Sequence, residues 1–184
     1  MTYYGGKELA ASFRTVRNNT IQIAEEIPAE RYSFKPSSDS RSIGETLAHV
    51  AGVTNFQIYV HQRHIDSLTK VNFPEFLQAA RAQEDGLRTK DQIIAALKAE
   101  GEKYAGYLES LSESFLAEPV GMPPGAQPAA KSRFEMLMSA KEHEMHHRGQ
   151  LMVMQRMLGM TPHLTRQMQE RAARQAAQAQ AAAR

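Results

Sequence analysis

The chain has 184 residues, enough for one domain with a core of its own plus a short appendage. It contains no cysteine, which excludes disulfide staples, thiolate metal sites and a cysteine nucleophile. The net charge of +2 belongs to the C-terminal end: from His163 onward four arginines face one glutamate, while the remainder carries 18 basic and 19 acidic residues, shows no basic stripe with interleaved aromatics and is expected to have no nucleic-acid partner.

The opening MTYYGGKELA lacks a basic segment followed by an apolar one, so no secretory signal is expected. No apolar run approaches the roughly 20 residues that cross a bilayer. A cytoplasmic protein without a membrane partner is the expectation. Leu9, Phe13, Val16, Thr20, Ile23 and Ile27 recur at spacings of four and three, which predicts a first amphipathic helix that Pro28 stops. The linker RYSFKPSSDS follows. Ser42-Ile43-Gly44-Glu45 reads as a capping box that starts helix two, running to about Arg63. One face of it carries His49, Val53, Phe56 and Val60, and another Ile43, Leu47, Val50, Thr54 and Ile58.

PEFLQAARAQ after Pro74 reads as a short helical excursion. Helix three starts at Thr89-Lys90-Asp91-Gln92 and turns Ile94, Leu97, Gly101, Tyr104, Leu108 and Leu111 inward. PVGMPPGAQPAA is a loop. Helix four spans about Lys131 to Leu158, with Gly159 and Pro162 as stop signals. No strand is predicted. The pattern is all-α: a four-helix bundle over residues 1–160, followed by an Ala/Gln/Arg-rich tail, 161–184, that reads as a solvated helix.

The stretch KEHEMHHRGQL, 141–151, concentrates histidine inside helix four. At about 100° per residue, His147 lies about 40° from His143, and Met136, Ala140, Leu151, Met154 and Leu158 lie within about 80°. Both histidines are therefore expected in the inward stripe, one turn apart, where two imidazoles can share one ion. A third ligand should come from a facing helix, and His49 stands in an inward row of helix two. His61 and His64 lie about three turns further along and cannot join the same site. His146 points away, and with His61, His64 and His163 reads as surface or structural. A bundle without metal, its histidines forming a polar core network, is the bland alternative. His143-Glu144-Met145-His146-His147 also fits the zinc-protease helix, but Val153 stands where the extended motif needs a histidine. Glu144 reads as half of an ion pair. Phe134, Met138, Met145 and Met152 form a second apolar stripe opposite the histidines, which predicts a homodimer face.

IPAERYSFKPSSDSRSIGETLAHV, followed much later by HEMHHRGQL, resembles the DinB-like family of metal-binding four-helix bundles over roughly residues 8–160. The family is distinct from the DNA polymerase of that name. The resemblance implies up-down-down-up topology and a homodimer. It implies a divalent ion, nickel or zinc, on His49, His143 and His147, with Gln150 of the R-G-Q ending as a hydrogen-bonding partner of the ligands. It also implies an enzyme of the thiol-dependent S-transferase kind, whose open metal position activates a low-molecular-weight thiol such as bacillithiol or mycothiol toward a small-molecule substrate. No basic cluster beside the metal is evident for a thiol's carboxylates. The alternative is a non-catalytic or stress-associated protein in which the metal is structural or sensory.

Overall fold

The computed structural model describes residues 4–182; three residues of the expected bundle domain and two of the expected tail lie outside them. Local signals set the helix ends. Ser42 Oγ accepts from the Glu45 amide at 3.1 Å and the Glu45 carboxylate accepts from the Ser42 amide at 2.7 Å, which starts α2 (Ile43–Gly52). Thr89 and Gln92 do the same for α5 (Lys90–Glu109). Ser132 caps α7 (Arg133–Met157) through the Glu135 amide. Gly159 ends α7 at φ 77°, with Met160 N bonded to Gln155 O and Gly159 N to Arg156 O, a Schellman closure.

The single helix expected over 42–63 is two. α2 stops at Gly52 and α3 (Thr54–Gln62) follows, because the Val53 amide bonds back only three residues, to Val50. Two causes act here: a glycine, and the Arg17 guanidinium, which takes the Val50 carbonyl at 3.1 Å. The excursion is α4 (Phe73–Gly86), capped by Asn72; no residue of it is buried.

Side-chain pairings establish the topology. On α1 (Gly6–Glu26), Gly6 lies against Leu108, and Ile27, just past the helix, accepts from Lys90, so α1 and α5 are antiparallel. A Cβ on Gly6 would stand 2.3 Å from the Leu108 carbonyl oxygen, so only glycine permits that approach. Ser12 meets Lys141 and Arg17 meets Glu144, so α1 and α7 run parallel. Gln57 meets Ser139 and His61 meets Arg133, so α2 and α3 run against α7. The four long elements are thus up, down, down and up, an all-α four-helix bundle. No helix among the described residues is long and apolar enough to cross a membrane.

The core has two main clusters. One joins Ile23, Ile27, Ile43, Leu47, Ile93, Leu97 and Leu151; the other joins Leu9, Phe13, Ile58, Tyr104, Leu108 and Leu137. Ile93, at 2% exposure, takes the inward place expected for Ile94, which is half-buried. Phe134 and Met138 of the second stripe pack on the Leu9 cluster and Met152 on the Ile23 cluster, which leaves Met145 as its exposed member.

A strand pair corrects the all-loop reading of the Pro-rich segment. After the short α6 (Glu113–Ala117), β1 (Pro119–Gly121) pairs antiparallel with β2 (Ala130–Ser132), and Val120 packs beneath it against Val60, Val71 and Met136. The tail is α8 (His163–Ala182). Its first turn docks on α1 through His163, buried against Asn19, and through the Arg166–Glu26 ion pair. Residues 167–182 are exposed.

Between the two clusters lies a charged layer. Arg17 and Glu144 are buried and bonded at 3.0 Å, and Arg17 also donates to Leu97 O at 2.9 Å. Gly101 makes the room: a Cβ there would stand 2.8 Å from Arg17 Cγ. Removing one partner leaves a buried charge unmatched, so Glu144→Ala is expected to lower stability by about 3–5 kcal/mol in chemical denaturation. A loss below about 1 kcal/mol would mean that water reaches Arg17.

A second polar chain runs from the exposed Glu118, beside the hairpin, to the bundle interior. Glu118 pairs with Arg133 at 2.9 Å, Arg133 donates to His61 Nδ1 at 3.1 Å, His61 Nε2–H donates to Gln57, and Gln57 donates to Ser139. Burial, reinforced by Arg133, pushes the His61 imidazole from 6.5 down to about 4. Below pH 6.5 the unfolded chain binds a proton that the folded chain refuses. The His61 contribution is therefore complete above about pH 6.5 and lost as pH falls toward 4. Between pH 7 and pH 5 wild type is expected to lose about 2 kcal/mol more than His61→Asn. Parallel denaturation curves for the two proteins would show that His61 takes up its proton without unfolding.

Candidate metal centre

Helix α7 is turned so that Ala140, Glu144, His147 and Leu151 face the core. The spacing placed both histidines within the inward stripe; the observed stripe is rotated toward Glu144, whose charge is tolerable there only because Arg17 meets it. His147 is consequently buried at 6% exposure, whereas His143 stands exposed at the edge of the groove between α7 and α2, contrary to its expected inward place. His49 reaches the same spot from α2, half-buried.

The three Nε2 atoms converge. His143 Nε2 lies 2.8 Å from His147 Nε2 and 3.2 Å from His49 Nε2. One ligand atom from each of the three falls within 4.8 Å of the others. The remaining ring nitrogens decide the protonation. His147 Nδ1 is 2.8 Å from Gln150 Oε1, and His49 Nδ1 is 2.8 Å from Glu84 Oε1. Both acceptors take an N–H from Nδ1, so the neutral rings of His147 and His49 would each direct a bare Nε2 lone pair at the same point. Protons cannot bridge three such nitrogens pairwise, since two of them have none to give. A cation at the centre resolves the conflict, and separations near 3 Å suit nitrogens about 2.0–2.1 Å from a shared ion.

The environment favours the neutral, ligating form. Burial pushes His147 down to about 4, partly opposed by its bond to Gln150 and reinforced by His143 and His49. His143 is held below its ordinary value by burial, then by His49, His146 and Arg41. Both are neutral imidazoles near pH 7.

Glu84 went unread in the sequence. It stands on α4, 35 residues from His49, and nothing in the periodicity of 74–83 marks it. Its carboxylate orients His49 as a carboxylate orients a metal-bound histidine. Gln150 fulfils the corresponding part for His147 and donates its amide to His146 Nε2 at 3.1 Å. Beside the histidines a pocket of about 420 Å³ opens between α2, α3, α4 and α7. Arg41 and Arg81 line it, so positive charge does lie beside the histidines, contrary to expectation. It was missed because one arginine precedes α2 and the other rides on α4. His61 and His64 stay out of the cluster: His61 is buried against Arg133, and His64 is exposed at φ 51°.

Glu84→Ala is expected to weaken zinc affinity about 10–100-fold in a chelator-competition titration. Unchanged affinity would limit Glu84 to holding α4 against α2.

The chain is 28% identical over 154 residues to the uncharacterized protein YjoA of Bacillus subtilis, an alignment covering 84% of this chain and 91% of YjoA. The crystal structure of YjoA, a DinB-like protein, superposes with a TM-score of 0.61 at 26% identity over 84% of this chain and 93% of YjoA. YfiT of Bacillus subtilis, described as a probable metal-dependent hydrolase with an unusual four-helix bundle topology, shares the fold with a TM-score of 0.67 at 11% identity, covering 88% of this chain and 91% of YfiT. The colibactin self-resistance protein ClbS, solved in complex with a dsDNA, shares it with a TM-score of 0.57 at 13% identity, covering 82% of this chain and 97% of ClbS. The absence of nucleic acid expected from charge is thus not a property of the scaffold. The DinB family model matches residues 1–179, through most of α8, and with the bundle topology and the three-histidine cluster it gives the conclusion that the chain belongs to the DinB family.

Proposed function

We propose that the chain is a divalent-metal-dependent enzyme acting on a small molecule, with His49, His143 and His147 as ligands and residues 1–160 as the functional unit. The observation that carries this reading is the convergence of the two bare Nε2 lone pairs of His49 and His147 on His143. Three imidazole ligands leave coordination positions open, the pattern of a catalytic rather than a closed structural site. A divalent ion held there, zinc or nickel, would supply Lewis acidity that lowers the pKa of a water or thiol.

The chain's own part is positional. Glu84 and Gln150 hold two imidazoles in one tautomer and orientation. Val53, Phe56, Phe76 and Leu77 line an apolar wall that limits water beside the histidines. With no cysteine in the chain, a sulfur nucleophile has to arrive as a small molecule, and the family resemblance favours transfer from such a thiol. The description of YfiT favours hydrolysis instead, in which water takes the thiol's place.

The test starts with untagged protein. About one equivalent of zinc or nickel by mass spectrometry is expected, and its loss in His147→Ala. A wild type that binds no metal even after reconstitution would sink the reading and leave a polar histidine cluster. Turnover of electrophilic substrates that requires added thiol separates transfer from hydrolysis. Metal loss that lowers the melting temperature, with no turnover in either assay, would make the metal structural.

A further inference from the structure

The pocket beside the histidines has two chemically distinct parts. Its body is apolar and aromatic. Phe56 stacks on Phe73 with ring centroids 5.8 Å apart and meets Phe76 edge-on at 5.2 Å, while Leu77, 50% exposed, and Phe73, 36% exposed, present apolar surface to the same space. Its rim is charged: the exposed Arg41 and Arg81 line it, together with Glu84, whose carboxylate is taken by His49 Nδ1–H. Arg81 follows Leu77 by four residues and precedes Glu84 by three, so the three share one face of α4. Arg41 lines this pocket and also the neighbouring one bounded by His146, His147 and Gln150. Neither arginine forms a salt bridge among the described residues, so both guanidinium groups are open to a ligand. At about 420 Å³ the space suits one small molecule with an aryl or short acyl body.

We propose that this pocket binds a small organic anion, its aryl or acyl body lying against Phe56, Phe76 and Leu77 and its anionic head held at the mouth by Arg41 and Arg81, beside the three histidines. The assignment rests on the proposed metal centre for the chemistry at the ligand's reactive end, whereas the apolar wall and the two guanidinium groups are built by the chain itself. Guanidinium forks match a carboxylate or phosphate geometrically, and a ligand lacking the charge forgoes those bonds. α4 contributes more of the lining than any other helix, so α4 is the element that selects the ligand.

The probe is 2-naphthoate, with neutral 2-naphthamide as its isostere, titrated calorimetrically into zinc-loaded full-length protein. Saturable naphthoate binding is expected, with naphthamide roughly tenfold weaker or more. Arg81→Gln should lower naphthoate affinity by about the same factor and leave naphthamide unchanged. Leu77→Ser should weaken both probes. Both positions are exposed, and circular dichroism checks that the variants fold. Equal affinity for the two probes, or no effect of Arg81→Gln, would overturn the proposal, the latter because direct coordination would then account for the binding. Repeating the titration on chelator-treated protein separates this inference from the one beneath it. One equivalent of bound metal without naphthoate binding overturns the pocket assignment alone. Selective, Arg81-dependent naphthoate binding in a protein that takes up no metal supports the pocket assignment and overturns the metal centre alone.

Discussion

One guanidinium holds the bundle in register. Arg17 extends from α1 into the centre, gives Nε to both Glu144 oxygens on α7, and spends its two remaining nitrogens on the Leu97 carbonyl of α5 and the Val50 carbonyl at the end of α2. Every long element of the bundle is touched by that group. A cation so deep is stable only when each of its donors has an acceptor. The surroundings are shaped accordingly: Gly101 leaves space for the side chain, and the break at Gly52–Val53 coincides with the carbonyl it takes. Apolar packing alone tolerates a helix that slides or rotates by part of a turn; a directional set of charged hydrogen bonds does not.

The candidate metal centre inherits that rigidity. Glu144 lies one residue after His143 and three before His147, so the rotation of α7 that satisfies Arg17 also settles where both imidazoles point. The buried carboxylate forces His143 to the rim and His147 to the interior. The pair therefore spans from core to solvent, with one imidazole protected and one at the opening. Val50, whose carbonyl Arg17 grips, is the neighbour of His49 on α2. The same polar layer that divides the apolar core thus positions the helices that carry the histidines.

What was legible in the sequence was local. Ser42 with Glu45, Thr89 with Gln92, and Gly159 act within one turn of chain, and each marks a helix end that the structure has. Apolar spacing gave the long helices, and spacing of four brought His143 and His147 to one side. What was not legible depends on contacts between distant segments. Arg17 occupies a place on α1 that reads as polar until Glu144 is seen opposite. The α2–α3 break follows from that same arginine. Three-residue strands amid prolines leave no alternation to detect, and their pairing is anchored by Val120 in a cluster that Val60 and Met136 supply from elsewhere. Glu84 and Arg81 arrive on a helix whose own pattern says nothing about the site.

That helix has a consequence for how such a protein diversifies. α4 supplies a wall of the pocket and a partner for His49, yet contributes no buried residue to the bundle. Substitutions along it carry little of the stability penalty that a core change brings. The bundle and its histidines can therefore stay constant while the contour and charge of α4 drift. Selectivity and foldability are carried by separate stretches of chain, an arrangement that lets one scaffold acquire new ligands in single mutational steps.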